Sequence, residues 1–145
     1  MSGYLLKAGE WERVTPESGG WRYLFFQVCD RPFELENDTA ESVLIPLSGT
    51  TRVRAAGQTW ELGGRADVFA GVPTSLYLPR ETSARVEVDG EVAVCGAHCE
   101  ERREPVLIVP QEIEIEVRGA GNATRQINHI VKPEFPAERI LVVEV

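Results

Sequence analysis

Apolar and polar residues alternate along this chain in short runs of period two rather than in helical stripes. Residues 23–28, 43–47, 51–55, 59–62, 67–70 and 75–78 each form such a run, the pattern of a pleated surface with at least one buried face. The sharpest turn signal is Asp89-Gly90, flanked by alternating residues at 85–88 and 91–94. It predicts a hairpin, because Asp-Gly supplies the positive φ angles of a two-residue turn. Leu47-Ser48-Gly49, Ala56-Gly57, Gly63-Gly64 and Pro79 are predicted reversals between the other runs. Residues 112–117 alternate cleanly, with Ile113, Ile115 and Val117 on one face and three glutamates on the other, predicting a half-solvated strand. The closing stretch, 140–145, is apolar at five of six positions. It predicts a strand that wants cover on both faces, from a second copy or a second domain.

Many short strands with close turns and no long helical pattern imply an all-β fold. The order of strands, Ser-Gly turn, Gly turn and Pro suggests a cupin-type jelly roll, an antiparallel barrel or sandwich with little or no helix. A length of 145 residues suits one core, so residues 1–145 are expected to form a single cupin domain. At 43% hydrophobic and 26% charged the composition is that of a globular chain.

Charge narrows the partners. Twenty-three acidic against 15 basic residues give a net charge of −8, a field that repels phosphate backbones and anionic headgroups, so neither nucleic acid nor membrane is expected. The amino terminus lacks the apolar core of a secretory signal, and no apolar run reaches the ~20 residues that span a bilayer, which points to the cytoplasm. Cys29, Cys95 and Cys99 are an odd set, read as free reduced thiols.

Cupins often hold a metal in two motifs that supply histidines and a glutamate. With Gly49 as the last element of the first motif, the glutamate position falls on Ser42 and the histidine positions on Glu36 and Asp38, or on Leu35 and Asn37. In the second motif Pro79 takes the proline position and Ala84 that of histidine. Glu36 and Asp38 alone would make a weak, hydrated site, so a metal-free barrel with no cofactor is expected. Cys95, His98 and Cys99 offer a second set, weighed against buried cysteines acting as small apolar residues.

Gly19-Gly20-Trp21, the run from Leu44 to Gly49, the run from Leu62 to Phe69, Tyr77-Leu78-Pro79, the run from Glu91 to Val94, Arg118-Gly119-Ala120-Gly121-Asn122 with Arg125, and Leu141 to Val145 follow one another along the chain. Together they resemble the amino-terminal half of the 5-deoxy-glucuronate isomerase family. The resemblance implies a cytoplasmic bicupin of myo-inositol catabolism that interconverts an aldose and a ketose sugar acid. It also implies that the family's metal lies in a carboxy-terminal cupin which this chain stops short of, so the chain alone is expected to be inactive.

Aldose–ketose isomerisation moves a proton between adjacent carbons and needs a base plus a cation or donors for the developing oxyanion. His98 and His129 are the only histidines. His129 shares a predicted strand face with Ile127 and Val131, as a hydrogen-bonded core residue or as part of a site. Arg118, Asn122 and Arg125 frame a Gly-rich loop suited to gripping a carboxylate. The competing reading pairs the two arginines with Glu114, Glu116 or Glu134. Arg118, Asn122, Arg125 and His129 are therefore the candidate substrate-binding residues. Two classes of function stand: an isomerase that needs a second cupin to complete its site, and a non-catalytic cupin module for sugar-acid binding or assembly.

Overall fold

The computed structural model describes residues 13–145. The amino-terminal stretch read for a secretory signal lies outside the described residues. The elements run β1 (Arg13–Val14), α1 (Pro16–Gly19), β2 (Leu24–Cys29), β3 (Phe33–Asn37), β4 (Ala40–Ala55), β5 (Gln58–Arg65), β6 (Ser75–Leu78), β7 (Thr82–His98), β8 (Val106–Ile108), β9 (Glu114–Arg118), β10 (Arg125–Val131) and β11 (Val142–Glu144). The first eight strands form one antiparallel sheet, and the last three a separate antiparallel sheet in the order β11-β10-β9. This is the all-β architecture that the alternation predicts.

Two long strands organise the large sheet. β4 pairs with β7 along almost its whole length, from Ala40 opposite His98 to Ala55 opposite Ala84. Asp89-Gly90 therefore does not reverse the chain, and the predicted hairpin is corrected to a continuous β7. Leu47-Ser48-Gly49 likewise lies inside β4, and Gly63-Gly64 inside β5. These glycines meet at one level: Gly49 lies opposite Gly90 and opposite Arg65, with the ladders slipping between Pro46 and Ser48 and between Gly49 and Thr50. Gly49 and Gly90 have φ of 68° and 112°. A Cβ on Gly90 would sit 2.2 Å from the Ser48 carbonyl oxygen, so only glycine lets the strands close at this corner. The three strands bend together, which turns a flat sheet into a barrel wall. Ala56-Gly57 does reverse the chain, joining β4 to β5 with both residues at positive φ. Residues 67–70, predicted as a strand, form a turn in which the Asp67 carboxylate accepts from the Phe69 N–H at 2.8 Å, and Phe69 is 94% exposed.

Period-two alternation gives the sheet two buried faces. Phe25, Leu35, Leu44, Val53, Leu62, Leu76, Leu78, Val86 and Val94 pack inside the barrel. Val43, Ile45, Tyr77, Ala93 and Ala97, the alternate residues of β4, β6 and β7, pack instead against Ile130, Val131, Ile140 and Val142 of the carboxy-terminal segment. Strands covered on both sides read as near-continuous apolar runs, as 43–47 and 75–78 do. Of the closing stretch, Ile140 and Val142 are buried, whereas Leu141, Val143 and Val145 are exposed. The solvated run 100–104 joins β7 to β8, two strands of the same large sheet.

Candidate functional site

The barrel interior is where a cupin ion would sit, and here the alternation decides what faces it. Leu35 and Ala84 lie opposite one another in the β3–β7 ladder and belong to the apolar interior. Glu36 and Asp38 fall on the other phase and are exposed. The remaining motif positions bond to each other: the Ser42 hydroxyl donates to Asn37 Oδ1 at 2.7 Å, and the Asn37 amide donates to the Leu78 and Pro79 carbonyls at 3.3 and 3.4 Å. Two hydrocarbon side chains at ligand positions do not fit an ion.

Cys95, His98 and Cys99 do not converge. The His98 ring lies edge-on to Phe25, with Nδ1 3.2 Å from the Thr39 hydroxyl. Burial pushes the thiols of Cys95 and Cys99 up to about 11, so both remain neutral small side chains near pH 7. Among the described residues no three His, Cys, Asp or Glu side chains are grouped to hold a metal ion.

The outer face of the carboxy-terminal sheet gathers the remaining candidates. Arg118 lies directly opposite Arg125 where β9 and β10 meet the hairpin loop, and Gly119 and Gly121 carry that loop at φ of 97° and 54°. Asn122 is exposed in its short 3₁₀ turn, Gly121–Ala123. Glu116 joins two of the candidates, accepting from Arg118 Nε through Oε1 while its Oε2 lies 3.1 Å from His129 Nε2. Hydrogen bonds from Arg118 first and His129 second hold the Glu116 carboxyl below its usual range. Arg118 thus follows the ion-pairing reading, while His129 is half-buried and hydrogen-bonded.

Below His129 opens a cleft of about 300 Å³ between β8 and β10. Val106, Ile108, Ile130 and Phe135 supply apolar walls, and His129 and Lys132 bring basic groups beside the carboxylates of Glu112 and Glu134. Arg118, Asn122 and Arg125 are not among its walls. An apolar surface with a few polar groups suits a small polar molecule held from one side. The larger depression, of about 380 Å³, lies on the far part of the barrel, where Arg52 is held between Glu61 and Glu87. One arginine against Glu61, Glu87 and Asp89 leaves its lining net negative, which disfavours an anionic ligand.

Two buried polar clusters escaped the sequence reading. Glu41 is fully buried and takes four hydrogen bonds, from the Tyr77 hydroxyl at 2.7 Å and the backbone N–H groups of Glu138, Arg139 and Ile140 at 2.9, 2.6 and 2.7 Å. Burial, then the bond to Glu41, pushes the Tyr77 phenol far above its usual range. Arg65, also buried, donates to the Pro46 and Gly71 carbonyls and forks onto Glu144, whose Oε1 also accepts from Asn128. Both clusters tie the barrel to the carboxy-terminal segment. Their one sequence signal is a lone charge in a β-like run.

A sequence model of the KduI/IolB family matches residues 5–145. The chain is 40% identical over 141 residues to the 5-deoxy-glucuronate isomerase of Geobacillus kaustophilus, covering 92% of this chain and 51% of that protein. To the 5-deoxy-glucuronate isomerase of Geobacillus thermodenitrificans it is 38% identical, covering 52% of that protein. Among solved structures, an IolB-like protein from Salmonella typhimurium superposes with a TM-score of 0.83 at 32% identity, over 90% of this chain and 53% of that one. The YlbA protein of E. coli, at 13% identity and a TM-score of 0.55, shares the fold alone, over 84% of this chain and 49% of that one. The chain spans about half the length of the curated relatives it matches.

Proposed function

The chain belongs to the KduI/IolB family, and from that premise we propose that it is the amino-terminal cupin of a 5-deoxy-glucuronate isomerase, a supporting module whose reaction is completed by a second cupin. The observation that carries this reading is the 40% identity to a curated isomerase, spread over nearly the whole chain yet spanning only half of that protein.

The chemistry agrees with it. Moving a proton between neighbouring carbons needs a base and an electrophile that face one substrate. In this barrel the interior is packed with hydrocarbon, Leu35 and Ala84 included, and does not fit a metal. His129 is engaged by Glu116 at the surface, beside a cleft and not inside a water-excluding pocket. Arg125, Asn122 and His129, with Arg118 beside them on its Glu116 partner, form the face we assign to gripping a sugar acid. Leu141, Val143 and Val145, exposed on and beside β11, form the face we assign to a second cupin or a second copy.

No helix among the described residues is long and apolar enough to cross a membrane. We place the protein in the cytoplasm, a compartment in which Cys29, Cys95 and Cys99 stay free. The alternative reading, a non-catalytic module that binds a sugar acid or supports assembly, is favoured by the same packed interior.

A coupled assay separates the readings. The isolated chain is expected to give no ketose from 5-deoxy-glucuronate above the uncatalysed rate, while a sugar acid raises its melting temperature and Arg125→Ala removes that rise. Turnover that Arg125→Ala abolishes would overturn the supporting role.

A further inference from the structure

We propose that β9 is a self-complementary edge through which two copies of this chain join their small sheets into one six-stranded sheet. This goes beyond the isomerase reading and needs no substrate.

β9 ends the order β11-β10-β9, so among the described residues no strand pairs with its outer side. A free edge offers unpaired N–H and C=O groups to another chain, and proteins usually blunt such edges with short strands, charged side chains, proline or a bulge. Glu114–Arg118 is short and charged but has no proline, its ladder to β10 runs without a slip, and its charges are of both signs, so they can pair across a two-fold edge as well as repel. Its apolar side chains are uncovered as well. Ile115 is 51% and Val117 65% exposed, although they share a face with Asn128, which is buried on the side of the barrel. The alternation that predicts a covered face for Ile113, Ile115 and Val117 is thus met only at Ile113, which is buried.

The order of residues in β9 says what fits the edge. Glu-Ile-Glu-Val-Arg, laid antiparallel on itself about Glu116, sets Glu114 opposite Arg118 of the second copy and Ile115 opposite Val117 of the second copy, each twice by symmetry. Opposite charges then meet on the outer face and apolar side chains on the inner one, which are the favourable cross-strand pairings. Glu116 meets its own copy at the axis, a like-charge contact that the hydrogen bonds from Arg118 and His129 already temper within each chain. Main-chain bonds supply the attraction and the side chains fix the register, as in strand addition generally. A second copy matches itself in charge and in apolar character, which a partner of arbitrary sequence would not.

Light scattering and sedimentation equilibrium test it over concentrations up to about 1 mM, since a short edge contact falls at the weak end of interface size. The expected result is a mass rising from 16.1 kDa to twice that value. Val117→Lys should hold the mass at the monomer, with an unchanged circular dichroism spectrum because the position is exposed. Arg118→Glu should raise the dissociation constant about tenfold by losing both the pair with Glu114 of the second copy and the bond that tempers Glu116, and Glu114→Arg combined with Arg118→Glu should recover the first part of that loss by exchanging the charges. The exchange keeps the test decisive even if Val117→Lys fails to fold. A monomer at every concentration overturns the proposal. So does a dimer indifferent to these variants, or a double variant as weak as the single one.

Discussion

Replacing Glu41 by alanine is expected to destabilise the fold by about 4 kcal/mol, the loss of several hydrogen bonds to one buried charge-bearing group. Three successive backbone N–H groups, of Glu138, Arg139 and Ile140, converge on its two oxygens, and the Tyr77 hydroxyl adds a fourth bond. Removing the carboxylate leaves those donors without an acceptor in a dry place and opens a void between β4 and the carboxy-terminal segment. For a chain of this length the melting temperature should fall by about 10–15 °C. Glu41→Gln keeps one acceptor and turns the other into a donor facing an N–H group, so a smaller fall of about 5 °C is expected. Calorimetry decides. A Glu41→Ala protein that melts within about 2 °C of the parent would show that these bonds contribute little.

Gly90→Ala is expected to be nearly as damaging, at about 3 kcal/mol, for a different reason. The added methyl would meet the Ser48 carbonyl oxygen at 2.2 Å, with backbone on the far side of the contact and a φ of 112° that L residues avoid. Gly57→Ala is the natural control: its φ is 72°, but nothing lies within 4 Å of the added carbon, so only the dihedral cost of about 1 kcal/mol remains. Urea midpoints for the two variants separate crowding from backbone strain. Equal losses at both positions would refute the idea that β4 and β7 are pressed together at this corner.

That corner also shows why one local signal misled. Asp-Gly between alternating segments has the same composition whether the chain reverses or two long strands bend in step, and the difference lies in Gly49, some forty residues earlier. The all-β class was legible, because burial follows period two wherever a sheet has a face to hide; Glu36 and Asp38, read as possible weak ligands, instead lie exposed on the outward phase. Residues 67–70 misled by their apolar content: Val68 and Phe69 lie in a turn that Asp67 closes on itself. At the candidate site, the ion-pairing reading of Arg118 was available from its acidic neighbours. Glu41 was missed because periodicity counts apolar positions and cannot tell which polar exception is sealed inside.

The pairing of β4 with β7 carries a kinetic consequence. Its partners are far apart in the chain, Ala40 with His98 and Val53 with Val86, so the central ladder cannot close until the ends of a long loop have met. Local hairpins such as β4–β5 can form early, but the rate should be set by this distant zippering, with refolding over milliseconds to seconds in stopped-flow fluorescence. Until it closes, the apolar strands 43–47 and 75–78 stand open to neighbouring molecules, and dilute refolding should recover more native protein than concentrated refolding.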